Sequence, residues 1–496
     1  MKIKTMIQKK NMLIYNTLHR QKEEFAALQP GLVSMYVCGI TAYDYCHIGH
    51  ARSNVVFDVL VRYLRYLGYQ VKFVRNFTDV DDKIINKAAE EELSEKEVAE
   101  KYIQAFYEDM DALNVLRADE EPRATDHIED MTRLIGIYLD KGYAYLTSGG
   151  DIYFRVRKMP GYGSLSGRNI EELKSGARVA PDEDKEDALD FALWKSAKPG
   201  EPSWDSPWGP GRPGWHLECT AMSEKYLGIP FDIHGGGQDL TFPHHENEKA
   251  QSEAAFEREF VRYWVHNGFV RVNSEKMSKS LSNFVTIRDI LASFHGEVLR
   301  FFLLTKHYRS PLDYTENALV EAEKALKRIY WTKAALENQL TRQKWSKGQD
   351  FVEAKEEFEG LSEKWEQAMQ DDLNTAEALG YAFGLVRLAN RMLENKTFRK
   401  SEPGRLLMLD MLGLLNNWGR VLGLFHHSGQ SFLDDLKILR CKREKIDPRT
   451  IDELVWKRQK ARQDKEFALA DQIRKDLAGS GIEVMDTPEG PKWDFA

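Results

Sequence analysis

Residues 34–77 read SMYVCGITAYDYCHIGHARSNVVFDVLVRYLRYLGYQVKFVRNF. The apolar run LVSMYVCGI at 32–40 predicts a buried strand. From Ile48 to Leu67, apolar residues recur at Val55, Val56, Val59, Leu60, Tyr63, Leu64 and Leu67, a helical stripe. Gly68 follows where a helix cap belongs. YQVKFVRNF then predicts a second strand. Strand, helix and strand in about 45 residues form a βαβ unit, which needs a parallel sheet. The fold class expected is α/β, with a Rossmann-like parallel sheet.

The turn between strand and helix holds His47 and His50, with Gly49 between them. Taken alone, the pair also reads as a polar helix start. Its position favours more, because open α/β sheets bind ligands at the carboxyl ends of their strands. A helix N-terminus offers free N–H groups and a positive dipole end to phosphate. Gly49 leaves room for a base or phosphate near the backbone. The chain has no G-x-x-x-x-G-K-[ST] motif, and no G-x-G-x-x-G between strand and helix, so a nucleotide would bind without a P-loop.

Outward from this unit, 147–213 is rich in Gly, Pro and charge and reads as a loop-rich insertion. Sheet character returns in GIPFDIHGGG and REFVRYWVHNGFVRV. After about residue 315 the pattern is helical, with TRQKWSKGQD as an interhelix loop and HHSGQS as a linker. The 496 residues, 42% of them hydrophobic, suffice for several cores, and the net charge of −8 makes any nucleic-acid surface a local one. Between Leu436 and Lys475, thirteen Lys or Arg face seven Asp or Glu, with Trp456 among them. Such a run reads as a solvated face or as an RNA surface. No membrane span is expected. The opening MKIKTMIQKKN lacks the apolar core of a secretory signal and reads as an extension ahead of Met12. Four cysteines, Cys38, Cys46, Cys219 and Cys441, are too few and too scattered for a disulfide framework, which points to a reducing cytoplasmic compartment.

SEKMSKSLSN, 274–283, holds Lys276 and Lys279 among small polar residues. It reads as a solvated loop or as a mobile one that closes over a triphosphate. H-I-G-H after a first strand, with K-M-S-K-S about 230 residues later, resembles the class I aminoacyl-tRNA synthetases. The resemblance implies that His47, Gly49 and His50 cradle ATP, with Mg²⁺ accompanying it. Lys276 and Lys279 would stabilise the departing pyrophosphate.

Cys38 ends the first strand, and Cys219 lies in RPGWHLECTAMS. His244 and Glu248, in FPHHENEK, share one helical face at i and i+4. Lys249 stands where a zincin H-E-x-x-H would need its second histidine. From spacing alone the four residues read either as a Zn²⁺ site or as packed thiols beside a solvated face. YVCGIT, GWHLECTAMS and FPHHENE are similar to cysteinyl-tRNA synthetases, as are LIYNTL, NFTDVDDKI and FALADQIRKDLAGSGIEVMDTPEGPKW. Only the first eleven residues and the loop 341–350 depart from that likeness. It implies one zinc held by Cys38, Cys219, His244 and Glu248, a cysteine pocket with Gly39, Thr78 and Trp215, and Asp239 near adenosine. It implies ATP-dependent charging of tRNA(Cys) with cysteine by a monomer. Cys46 and Cys441 read as packing residues.

The organisation expected is a catalytic domain in two halves, 12–124 and 214–265, split by the insertion 125–213. The loop and connecting region 266–320, a helical bundle 321–430 and an anticodon-binding domain 431–496 follow. The rival readings are a cysteine ligase of mycothiol biosynthesis and a non-enzymatic zinc-bearing RNA-binding module.

Overall fold

The computed structural model describes residues 12–169, 184–273, 275–276, 284–487 and 490–495. Its central sheet has four parallel strands in the order Val261–Asn267, Phe231–Gly237, Leu32–Thr41, Gln70–Thr78. The chain enters at the inner strand Leu32–Thr41 and crosses by the helix Ile48–Tyr66 to Gln70–Thr78. After a long excursion it returns on the other side. The strand order therefore reverses beside Leu32–Thr41, which places a crevice at its carboxyl end.

Side chains alternate across this strand. Val33, Met35 and Val37 belong to one core, shared with the helix Ile48–Tyr66 and the bundle, and Tyr36 to another, shared with the insertion. The helical stripe is buried as the periodicity predicts. Arg52 and Asp58 on the same helix are buried too, which no apolar pattern announces. Arg52 donates to the carbonyls of Leu303, His307, Tyr308 and Ser310. Asp58 pairs with Arg62 and Arg300. These bonds tie the helix to the stem helix Gly296–Leu304.

The Gly- and Pro-rich insertion is not structureless. It carries an antiparallel sheet of Ala144–Leu146, Ile152–Phe154, Phe191–Ser196 and Gly211–Pro213. Three of these strands have only three residues each, too short for a period-2 signal to stand out. Residues 1–11 and 170–183 lie outside the described residues.

Helices Glu316–Leu340, Val352–Gln370, Thr375–Glu394 and Glu402–Leu422 form the bundle, with Trp365 stacked on Trp418 inside it. The stretch HHSGQS is less of a linker than its composition suggests, because a helix already begins at Gly429 and runs to Glu444. Two further helices, Pro448–Gln463 and Phe467–Gly479, and a hairpin, Ile482–Thr487 with Gly490–Phe495, complete the chain. Their core holds Cys441, Ile451, Val455, Ile473, Leu477, Ile482, Trp493 and Phe495.

Candidate active site and metal centre

His47 is the N-cap of the helix Ile48–Tyr66. Its Nδ1 accepts the N–H groups of Gly49 and His50 at 3.0 and 3.4 Å, while His50 Nδ1 accepts the N–H of His47 at 3.2 Å. This is a reciprocal capping box built from two imidazoles, whose rings stack at 3.8 Å. A nitrogen that accepts carries no proton, so a neutral ring in this arrangement carries its proton on Nε2. Burial lowers the His50 pKa to about 4, so at neutral pH it offers a hydrogen bond rather than a charge.

Both rings line a cleft of about 440 Å³ at the carboxyl end of the sheet. Its wall also includes Cys38, Gly39, Trp215, Asp239 and Lys83. Lys83, on the helix Asp82–Glu91, lies over the Tyr43 ring and brings an ammonium group that the sequence reading had not singled out. Thr78 does not line the cleft: its hydroxyl is buried and donates to Glu218 Oε2 at 2.5 Å. Its sheet partner Thr41 takes that place in the wall.

Lys279 lies outside the described residues, and only the backbone of Lys276 is described, paired with Arg271. The segment just beyond them is well placed. Ile48 N donates to Val285 O at 3.1 Å and Ile287 N to Cys46 O at 2.9 Å, while Phe284 packs edge-on against His47. The segment that follows the second signature thus packs on the turn that carries the first, and Cys46 is buried there.

At the other end of the cleft, one ligand atom from each of Cys38, Cys219, His244 and Glu248 lies within 4.8 Å of the other three. The two sulfurs are 3.6 Å apart. Glu248 Oε1 is 3.5 Å from Cys38 Sγ and 3.1 Å from His244 Nε2. Cys38 reaches this cluster because its strand bulges. Pairing with Gln70–Thr78 shifts between Val37 and Ile40, and Gly39 N donates to Asn76 Oδ1 at 2.9 Å. Such a bulge re-aims a side chain. A Cβ at Gly39 would lie 1.6 Å from the Asn76 carbonyl oxygen, so glycine alone fits there.

A shell of imidazoles surrounds the cluster, unread in the sequence. His216 Nδ1 meets His244 Nδ1 at 2.8 Å, and His234 Nε2 meets Glu248 Oε2 at 2.8 Å. His245 links Cys38 to His266, which in turn meets Thr17. A second possible donor set, Cys38, His234, His245 and Glu248, overlaps the first. Of either set only Cys38 lines the cleft, but Trp215 lines it too and stacks on His244 at 4.1 Å. The set with Cys219 and His244 is therefore the one beside the cleft wall.

The cluster's chemistry fits a soft-to-borderline divalent cation. Burial first, then the neighbouring thiol and Glu248, push the Cys38 thiol well above its usual range. Burial likewise pushes Cys219 up and holds His244 well below its usual range. Two thiols and a carboxylate packed in a dry site repel one another's charge, and a cation removes that conflict.

Three family models match the chain: "tRNA synthetases class I (C) catalytic domain" at 24–324, "DALR domain" at 364–426 and "Cysteinyl-tRNA ligase anticodon binding domain" at 448–493. The chain is 62% identical over 483 residues to a cysteine--tRNA ligase of Nitratidesulfovibrio vulgaris strain Miyazaki F, covering 97% of this chain and 100% of that one. It is 61% identical to the corresponding ligase of Desulfovibrio desulfuricans, with 98% and 100% covered. The Lawsonia intracellularis ligase is 51% identical, also with 98% and 100% covered. In fold it is similar to a Mycobacterium tuberculosis methionyl-tRNA synthetase with methionyl-adenylate, at a TM-score of 0.61 and 16% identity over 81% of this chain and 93% of that one.

Proposed function

The chain belongs to the cysteine--tRNA ligases, class I synthetases that join cysteine to tRNA with ATP, and from that premise we propose how its residues divide the work. The observation that carries the proposal is the single cleft, with Cys38 and Trp215 in one part of its wall and His47 and His50 in another. ATP lies along the second part as its magnesium complex. The Nε2–H groups of His47 and His50 and the helix N-terminus donate to its phosphates. Asp239 contacts adenosine. Lys276 and Lys279 stabilise the charge that develops as pyrophosphate departs, and Lys83 adds a fixed positive group.

Cys38, Cys219, His244 and Glu248 hold zinc, with His216 and His234 orienting His244 and Glu248 from behind. When bound, zinc supplies a Lewis acid that takes the substrate sulfur as thiolate, a discrimination against serine that pocket shape alone cannot give. Trp215 and Gly39 border the cysteine. Thr78 acts at second hand, by holding Glu218.

The C-terminal unit reads the anticodon. Lys457, Lys460, Arg474 and Lys475 are exposed on its helices and Lys465 in the turn between them, with Trp456 59% and Phe467 62% exposed. Cations for phosphate and flat rings for unpaired bases suit an RNA loop. One chain carries every residue assigned to ATP, zinc and cysteine, and a monomer is the state proposed. The four cysteines are free, which suits the cytoplasm. Among the described residues no helix is long and apolar enough to cross a membrane. The anticodon-binding match and full-length similarity set aside the mycothiol ligase and the RNA-binding module.

The test is pyrophosphate exchange with cysteine and with serine, alongside metal analysis, for the parent and Cys219→Ser. The expected result is about one zinc per chain and strong preference for cysteine in the parent, with zinc and activation both lost in the variant. A metal-free parent that activates cysteine fully would refute the assignment.

A further inference from the structure

Far from the cleft, a second group of metal-ligating side chains gathers where the stem helix meets the turn after the bundle. Glu297 stands in the first turn of the helix Gly296–Leu304, and its carboxylate is almost wholly buried. Oε1 accepts Phe425 N at 2.6 Å and the Tyr330 hydroxyl at 2.9 Å, while Oε2 accepts the same hydroxyl at 2.9 Å. These bonds fix the carboxylate and leave Oε2 with acceptor capacity. Two imidazole nitrogens approach that oxygen: His426 Nδ1 at 3.6 Å and His427 Nε2 at 3.7 Å.

Both distances exceed a hydrogen bond. They are close to the spacing of ligands around a shared ion, since nitrogen and oxygen at about 2.0–2.2 Å from a tetrahedral zinc lie roughly 3.3–3.6 Å from each other. The three donor atoms all lie within 4.8 Å of one another. We propose that Glu297, His426 and His427 form a second divalent-cation site, which takes zinc or a similar borderline metal through two nitrogens and one oxygen.

The surroundings allow it. Lys333 is close, but its Nζ is held by the carbonyls of Phe425 and His427 at 2.6 and 2.7 Å. Arg300 is engaged by Asp58 and by the Leu422 carbonyl. Asp435, on the next helix, adds a negative charge facing His427. The side chains of His426 and His427 are 44% and 30% exposed, so water can reach the ion and complete its coordination. The neighbouring cations make this a weaker site than one with two thiolates.

Its place in the fold gives it a task. Glu297 belongs to the stem on the catalytic body. His426 and His427 belong to the turn between Glu402–Leu422 and Gly429–Glu444, the helix that leads to the C-terminal unit. An ion here staples that helix to the catalytic body and stabilises the whole chain by mass action.

The experiment titrates untagged, full-length enzyme, already saturated at its tight site, with Zn²⁺ in a calorimeter. The parent is compared with the double variant His426→Ala/His427→Ala and with Glu297→Gln. We expect one further equivalent in the parent, bound at least tenfold more weakly or not at all in both variants. Added Zn²⁺ should raise the thermal midpoint of the parent alone. Cysteine activation serves as the folding control for the variants. The parent-minus-variant difference is the readout, so the result stands apart from the fate of the thiol cluster, which Cys219→Ser tests. No further equivalent in the parent, or the same equivalent in the double variant, overturns the proposal.

Discussion

A histidine at a helix N-cap is an unusual choice, since Ser, Thr, Asp and Asn serve that position better. Under the proposed mechanism it joins two tasks in one ring: Nδ1 caps the helix and Nε2–H serves the ligand. The two tasks are separable. In His47→Asn, the amide oxygen caps the helix as Asn normally does, but no donor reaches as far as Nε2. Unfolding stability should change by less than about 0.5 kcal/mol, while adenylate formation slows by about 10²–10³, the usual cost of a lost preorganised donor. Rapid-quench measurement of activation, with urea unfolding alongside, checks both. Parent-like activation would mean that the ring is only a cap. The sequence brought this pair forward by its place between strand and helix, whereas spacing alone left Cys38, Cys219, His244 and Glu248 open and the family likeness singled them out. The sequence did not display Glu218, His216 or His234, because their roles depend on side chains 140, 28 and 14 positions away meeting in space. The family likeness put Thr78 at the cysteine, and its hydroxyl bonds Glu218 beside its sheet partner Thr41, which lines the cleft.

At the scale of elements, the βαβ unit was legible because its periods are long and its residues apolar. The bulge that turns Cys38 toward the metal-ligating cluster was not, since a lone glycine inside a strand has several meanings. Its meaning here is steric. Gly39→Ala places a methyl carbon on the Asn76 carbonyl, and neither is the end of a flexible side chain. The strand must shift or the bulge must flatten, at a cost of about 1–3 kcal/mol. Either movement carries Cys38 away from Cys219. The variant should therefore unfold at lower urea and hold less zinc after dialysis. A Gly39→Ala protein with parental stability and full zinc would show that the bulge does not set the cysteine's aim. A close approach of the same kind operates at Gly235, where a Cβ would meet the Phe57 ring at 2.2 Å. In the HGGG run, Gly235 thus marks close packing.

At the scale of the molecule, composition located a C-terminal unit but misplaced its seam. The helix Gly429–Glu444 belongs to both sides. Phe432 stacks on Tyr330 at 3.8 Å, and Phe432 and Leu436 lie in the large core, while Cys441 lies in the small one. Arg443 pairs with Glu323 on the bundle helix. This helix is a rod shared by two cores, and it joins the C-terminal unit to the bundle. A deletion from Gly429 would strip Phe432 from a packed site and leave its partners exposed, a cavity-scale loss of about 3–5 kcal/mol. A deletion from Asp447 keeps the rod, and exposes only the few residues that faced the small core. The shorter deletion should keep pyrophosphate exchange near the parental rate, because no residue assigned to ATP, cysteine or the zinc beside the cleft lies beyond Lys279. It should lose most charging of tRNA through weaker RNA binding, and charging by the intact enzyme should fall as salt rises. The deletion from Gly429 should lose both activities as its body loosens. Assaying the two truncations for exchange and for charging at several salt concentrations separates the cases. If the shorter one charges tRNA as well as the parent, the exposed cations and rings of the C-terminal helices take no part in RNA recognition. If it loses exchange while still folded, the small core supports the cleft, and the rod transmits more than position.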